Sequence, residues 1–470
     1  DCASADSIGS QPGEPRAPEA GQWFDYQIKQ LAENAHMASG GHSSPEPSPP
    51  VVRPDPTRTP GGQPEPSSPV DPVPTVPPGG RPASSNPFAV GVFYVNPSYS
   101  ESLNKSISSA EGSVKTTLES MRGVPSAYWL DKKSKIFGSG SKSMEGILAD
   151  AAAKATPELV TFIVYDLPNR DCHAKASNGE MCCTYLPNGR CDYTARGSCE
   201  TGLTEYRSEY IDKIVKVLQK YDGKVPIVLV IEPDSLPNLS TNRGDPRCGN
   251  PATVAAYTEG IAYAIRSIAS ATRSVTIYLD AGHGGWLGWK NNMQDFVKTI
   301  RGLGVAQHLR GFATNVAGYQ ALGEICPEYD WCLPSQQHSR DACCYDPCGL
   351  TAEWNPSQNE LNYALHLRKA MSEGIPGFVP RMLIDTGRNG VADERSKCAN
   401  WCNIRGAGVG LMPTTATANS EIIDAYFWLK TPGESDGCTE VLPSGESCPR
   451  FDTDCASADS IGSQPGEPRA

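Results

Sequence analysis

The chain of 470 residues sets 41 lysines and arginines against 53 aspartates and glutamates, for a formal charge of −12, and its pI near 5.2 lacks the basic footprint of a nucleic-acid surface. No run approaches the roughly 18 apolar residues of a membrane span, so a neutral substrate, with neither nucleic acid nor membrane as partner, is expected. The 17 cysteines predict a secreted, disulfide-bonded protein. Only the doublets Cys182-Cys183 and Cys343-Cys344, and no C-x-x-C pair, occur, so zinc is the weaker account and neither metal nor cofactor is expected.

The opening stretch, DCASADSIGSQPGEPRA, recurs letter for letter as residues 454–470. Ancient duplication would have drifted, and a stacked repeat needs more copies to build a core, so a designed join is expected. Removing one copy leaves an even number of cysteines that can pair completely. The start has neither the basic residues nor the apolar stretch of a secretion signal, as a mature or engineered sequence would. Residues 21–35, GQWFDYQIKQLAENA, place Trp23, Phe24, Ile28 and Leu31 on one face of a predicted helix that must dock on something. HMASGG, which follows, resembles a cloning scar. Residues 36–86 are proline-rich with few large apolar side chains and read as a semi-rigid, solvated linker.

From residue 87 onward, short β-rich runs alternate with helical ones. The predicted strands lie in FAVGVFYVN, SAYWLD, LVTFIVYDLP, VPIVLVIEPDS, SVTIYLDAGH, LRGFATNVAGY, RMLIDTGRNG and AYFWLKTPG; the strongest predicted helices are 206–221 and 251–270. Continuous apolar strands alternating with helices indicate a parallel sheet covered by helices. In a β/α barrel, polar groups at the strand C-termini converge on one face, where such folds carry their chemistry. Several of these strands end in such groups.

VLVIEPDSLPN is the clearest case, because an apolar run finishing in Glu232-Pro233-Asp234 leaves carboxylates at the edge of an apolar layer, which is costly unless they are paired. Neighbouring strand ends contribute Asp166, Asp171 and Asp280, and Asp436 follows the last strand. Single aspartates commonly cap helices or pair with arginine; carboxylates at successive strand ends point to a site. Trp129, Trp286, Trp289, Trp401 and Tyr165 accompany them. Sugar rings stack their C–H faces on indoles while their hydroxyls seek polar partners, so a carbohydrate cleft is expected. Aromatic platforms alone would serve a binding module, which has no need of the acids. Asn104 and Asn238 begin N-x-S triplets that matter only in a glycosylating host.

YDLPNRDC, ASNGE, VIEPDSL, YLDAGHGGWLGW, FATNVAGY, WCN, WLKTPGESDG and RFDTDCA resemble, in order, the motifs of glycoside hydrolase family 6, across residues 87–470 and completed by 1–35. The resemblance implies a distorted seven-stranded β/α (TIM-like) barrel with disulfide-stapled active-site loops, cutting β-1,4-glucan with inversion. It implies that Asp234 is the proton donor, with a raised pKa that keeps it protonated. Asp171 would support it, Tyr165 would lie beside the distorted sugar, and Ser177 would hold the nucleophilic water. Asp436 is the candidate remote base. Trp129, Trp286, Trp289, Trp401, His283, Asp280, Lys430 and Glu434 would contact sugar. The resemblance also implies disulfides Cys172–Cys248 and Cys402–Cys455, or Cys2 in place of Cys455.

The remaining cysteines crowd two insertions, 172–199 and 326–348, and stapled loops over a barrel mouth reduce floppiness. Roofed clefts favour chain-end attack. The expected activity is therefore release of cellobiose from the non-reducing end of cellulose and cello-oligosaccharides, in the manner of a bacterial exocellulase; an open-cleft endoglucanase is the alternative. In the family the segment beginning RFDTDCA leads into a docking helix, and here that continuation appears only at residues 18–35. A circular permutation is expected, with the linker rejoining the old termini, and a monomer; exchange of the helix between copies is the second arrangement.

Overall fold

The computed structural model describes residues 85–441 and 444–462. The repeat's first copy, the predicted docking helix and nearly all of the linker lie outside these residues. Seven strands form one all-parallel sheet in chain order: β1 Tyr128–Leu130, β2 Val160–Val164, β3 Ile227–Ile231, β4 Val275–Asp280, β5 Gly311–Thr314, β6 Arg381–Asp385 and β7 Ile423–Phe427. The sheet curls into a half-barrel. Its two outer strands are joined by one parallel bridge between Ser126 and Trp428, where the Ala127 N–H donates to the Trp428 carbonyl at 2.9 Å.

The apolar runs are continuous because both faces are covered. Along β3, Ile227, Leu229 and Ile231 join the outer core with the helices. Val228 and Val230 point the other way, into the curl, with Ile163, Tyr278, Ala313, Leu383 and Phe427, the period-two alternation of a strand. Phe88 packs on Phe427, with ring centroids 5.5 Å apart, inside this same inner core. Here the expected strand FAVGVFYVN is corrected. Asn86 caps a 3-10 turn, Pro87–Val90, and only Phe93 pairs, through a single bridge to Leu159. Proline at the first helical position, after an Asn cap, favours the turn over the β-propensity of the valines and phenylalanines.

Helices α1 Pro97–Ser109, α2 Gly112–Met121 and α3 Met144–Ala153 precede and follow β1. The predicted helix at 206–221 starts earlier. Designated α4, it begins as Glu200–Glu205, passes through a wider turn at Tyr206–Ile211 and continues as Asp212–Tyr221. Helices α5 Ser235–Thr241, α6 Pro251–Ala271, α7 Lys290–Leu303 and α8 Glu360–Gly374 complete the cover. No helix among the described residues is long and apolar enough to cross a membrane.

Among the described residues, eight disulfides pair sixteen cysteines. Cys172–Cys248, Cys182–Cys191 and Cys183–Cys199 fix the loop after β2. Cys326–Cys343, Cys332–Cys344 and Cys348–Cys398 fix the loop after β5. Cys402–Cys455 and Cys438–Cys448 tie the segments after β6 and β7. The sulfurs of Cys326, Cys332, Cys343 and Cys344 cluster within 4.8 Å, a metal-like grouping, but all four are spent in disulfides. Cys2 lies outside the described residues.

Candidate active site

The strand C-termini carry the site. β3 ends in a backbone that turns twice through left-handed conformations, Glu232 at φ 46° and Asp234 at φ 63°. Glu232 is structural: its carboxylate accepts the backbone N–H groups of Asp166 and Leu167 and the Tyr206 hydroxyl, tying the end of β2 to β3. Burial pushes its carboxyl up to about 7 against these donors. Asp166 is wholly buried beside Arg170 and belongs to the same structural layer.

Asp234 follows the end of β3 and is half-buried as a residue. Among the described residues no hydrogen-bond donor reaches its carboxyl; its backbone N–H donates to Asp280 Oδ2 at 3.0 Å. Burial, then the charges of Asp171 and Asp280, raise its pKa well above the carboxylate range. Asp280 accepts N–H groups from Asp234 and Gly282, and burial pushes it up to about 7.

Asp171, at φ 50°, accepts a close hydrogen bond from the Tyr165 hydroxyl, and the nearby Ser177 hydroxyl also favours its charged form. Both hydroxyls, with Arg170, stabilise its anion against a burial that nonetheless leaves its pKa raised. The Tyr165 ring meets Trp129 edge-on at 5.1 Å and carries the Arg170 guanidinium on its face at 4.2 Å. Ser177 is positioned by its neighbours: the N–H groups of Lys175 and Ala176 donate to Asp452 Oδ2 at 2.6 and 3.2 Å, and its carbonyl accepts Arg170 Nε at 2.8 Å.

Asp436 is clamped. Arg388 Nη1 donates to both its oxygens at 2.7 and 2.8 Å, and Oδ2 also accepts the Tyr319 hydroxyl at 3.0 Å and the Asn403 N–H at 2.9 Å. Burial opposes its charge, but Arg388 prevails and holds the carboxyl below its usual range. Sequence reasoning missed these partners. Arg388, Tyr319 and Asn403 come from three separate segments, and no local pattern links them.

The sugar-contact candidates follow several of the same strands. Trp129 on β1 anchors its indole N–H on the Leu429 carbonyl at 2.9 Å, with the Lys430 ammonium 5.1 Å from its ring centre. Lys430 pairs with Glu434 at 2.9 Å. After β4, His283 and Trp286 lie 6.0 Å apart, and burial pushes the imidazole down to about 3, so it is neutral. The Trp286 indole donates to Thr241 Oγ1 and that of Trp289 to the Glu353 carbonyl, both at 2.9 Å. Trp401 sits on another loop, its indole N–H donating to Asp454 at 3.1 Å. Asn238 is nine-tenths buried and donates to the Asp234 carbonyl, a poor glycosylation acceptor.

A parallel α/β half-barrel that gathers several buried carboxyls at its strand ends, one of them reached by no donor among the described residues, with indoles on the following loops, is the architecture of a carbohydrate-cleaving hydrolase of the two-carboxylate kind. The family model "Glycosyl hydrolases family 6" matches residues 88–470, and the chain belongs to that family. It is 34% identical to Exoglucanase 3 of Agaricus bisporus over 79% of this chain and 73% of that one. To Exoglucanase A of Cellulomonas fimi it is 32% identical over 78% of this chain and 44% of that longer one. Among solved structures, it is similar to the catalytic core of the cellobiohydrolase Cel6A from Chaetomium thermophilum, with a TM-score of 0.64 and 31% identity, covering 82% of this chain and 95% of that one.

Proposed function

We propose that this chain hydrolyses β-1,4-glucosidic bonds of cellulose and cello-oligosaccharides with inversion, acting from the non-reducing end and releasing cellobiose. The observation that carries the reading is the Asp234 carboxyl, desolvated, reached by no donor and set beside an anion. Such a group holds its proton until a glycosidic oxygen takes it. Asp171, which accepts the Tyr165 hydroxyl and has Ser177 and Arg170 favouring its anion, carries the charge of the pair. Ser177 beside it holds the water that attacks the sugar from the face opposite the leaving group.

Two carboxylates are candidates for the water's proton, and electrostatics favour Asp171 over Asp436. Arg388 keeps the proton affinity of Asp436 low, whereas loss of the Asp234 proton leaves a second negative charge beside Asp171. That charge raises the basicity of Asp171 just as the water must lose its proton. Asp436 then serves as the anion that, with Arg388 and Asn403, fixes the loops over the site. Trp129, Trp286, Trp289 and Trp401 stack the glucan, while His283, Asp280, Lys430 and Glu434 line it.

Disulfide staples on both long loops, and the bonds from Lys175 and Ala176 across to Asp452, support a roofed passage and exo action over an open endo-acting groove. The same eight disulfides, and the secreted character they imply, fit an extracellular exocellulase of the bacterial type. The Ser126–Trp428 bridge supports a barrel closed at that seam. For the repeat, we read residues 1–35 as the permuted end of the catalytic domain and 36–86 as its rejoining linker, in a monomer. Replacing Asp234 by Ala should cut turnover of unactivated cello-oligosaccharides by about 10²- to 10⁴-fold while leaving their binding nearly intact. The fresh product, followed by NMR, should be the α anomer; retained activity in the variant or an initial β product would overturn the assignment.

A further inference from the structure

Trp354 is 59% exposed and sits at φ 63°, a left-handed backbone that a bulky residue rarely adopts and that a fold keeps only when its surroundings impose it. Its carrier segment is built onto the turn that bears Trp286 and Trp289. The Trp289 indole N–H donates to the carbonyl of Glu353, the residue before Trp354, at 2.9 Å. Asn355, the residue after it, donates its amide to the Gly284 carbonyl at 2.9 Å. The two segments approach too closely for a side chain at either glycine. A Cβ on Gly284 would lie 2.3 Å from the Ser357 carbonyl oxygen, and one on Gly288 would lie 2.4 Å from Asn355 Oδ1. Upstream, Cys348–Cys398 and the bond from the Asn355 N–H to the Leu350 carbonyl hold the segment's other side.

We propose that Trp354 is a further sugar platform, extending the row of Trp286 and Trp289 by a stretch of β-1,4-glucan beyond Trp289. The proposal rests on the glucan-cleaving reading of the site. An indole turned to solvent on a strained, stapled backbone loses little freedom on stacking, so its binding energy is not spent on ordering. One peptide unit separates it from the atom that anchors the Trp289 indole, so the two indoles belong to one joined piece of backbone.

The test compares wild type, W354A and W354F on cello-oligosaccharides of increasing length and on insoluble cellulose. Expected is unchanged kcat and KM for W354A on the shortest substrates, then a KM about tenfold higher once the oligomer is long enough to pass Trp289, with W354F recovering much of the difference. Calorimetric binding in a D234A background should reproduce the same length threshold. Equal behaviour of W354A and wild type at every length overturns the proposal. So does an equal loss at every length, which would make Trp354 a support for Trp289 instead. Concentration-dependent dimerisation of wild type that W354A abolishes also overturns it, by assigning the indole to a protein contact. A wild type that neither binds nor cuts any of these glucans overturns the reading of the site itself.

Discussion

Replacing Glu360 by Gln tests how the fold holds the turn after β4. Glu360 is fully buried at the start of α8, and its Oε1 accepts the Gly284 N–H at 2.8 Å, the first residue of the turn that carries Trp286 and Trp289. Burial pushes its carboxyl up to about 8 from an ordinary 4.5. Below pH 4.5 the group is protonated folded and unfolded, and it costs the fold nothing. Between 4.5 and 8 the unfolded chain releases the proton while the folded one keeps it, so stability falls as pH rises, and above 8 the loss levels off. At 1.36 kcal/mol per pH unit, the full gap sets an upper limit of about 5 kcal/mol. Gln keeps the acceptor for Gly284 and never ionises. E360Q should therefore match wild type near pH 4 and exceed it by several kcal/mol at pH 8.5, measured by urea unfolding with the disulfides intact. An equal effect of the substitution at both pH values would refute the reasoning.

D280N keeps an oxygen for the Asp234 and Gly282 N–H groups but removes a charge that raises the Asp234 pKa; the alkaline limb of the kcat/KM profile should move to lower pH, and an unmoved limb would separate Asp280 from the acid. R388M leaves Asp436 buried without its cation and should cost about 3–5 kcal/mol. R388M/D436N should regain part of that in thermal or chemical unfolding, and no recovery would mean that Arg388 acts through Ala317, whose carbonyl it also meets. Cys348 and Cys398 close a loop with a sequence separation of 50. Replacing both by Ser should cost about 4 kcal/mol and raise the ratio of viscosity loss to soluble sugar released. An unchanged ratio would detach the staple from exo action.

What the sequence made legible follows from range. β3 and β4 were readable because a strand buried on both faces must be apolar at every position, and Asp234 and Asp280 stood out against those runs. The candidate catalytic aspartates, Tyr165 and Ser177 were recognisable because they lie in long ordered motifs. Arg388, Tyr319 and Asn403 were not, since their common purpose is a contact with Asp436 across 48, 117 and 33 positions of chain. Glu232 raised the right question for another reason: it is the buried carboxylate that sews β2 to β3, while its neighbour Asp234 has no such donors. Asp385, at the end of β6, passed unremarked although it accepts the N–H groups of Ala317, Gly387, Leu429 and Lys430. Its role depends on where three loops meet, which local pattern does not encode. At residues 87–90, an Asn-Pro cap outweighed β-propensity.

The strained backbone and the perturbed carboxyls have one origin. Left-handed conformations at Asn169, Asp171, Glu232, Asp234, Asn315, Ala317 and Asn403 all follow the strand ends or grip Asp436. Each costs on the order of 1–3 kcal/mol. Buried acceptors stabilise several of them: Asp385 takes the Ala317 N–H, Asp280 takes that of Asp234, and Asp436 takes that of Asn403. A carboxylate that collects backbone donors in this way must itself be desolvated, and desolvation raises the proton affinity of any carboxyl nearby that lacks donors. The scaffold that turns the chain sharply at Asp234 is thus the scaffold that raises its proton affinity. A substitution that relaxed the turn would lower the barrier to ionising the acid at the same time.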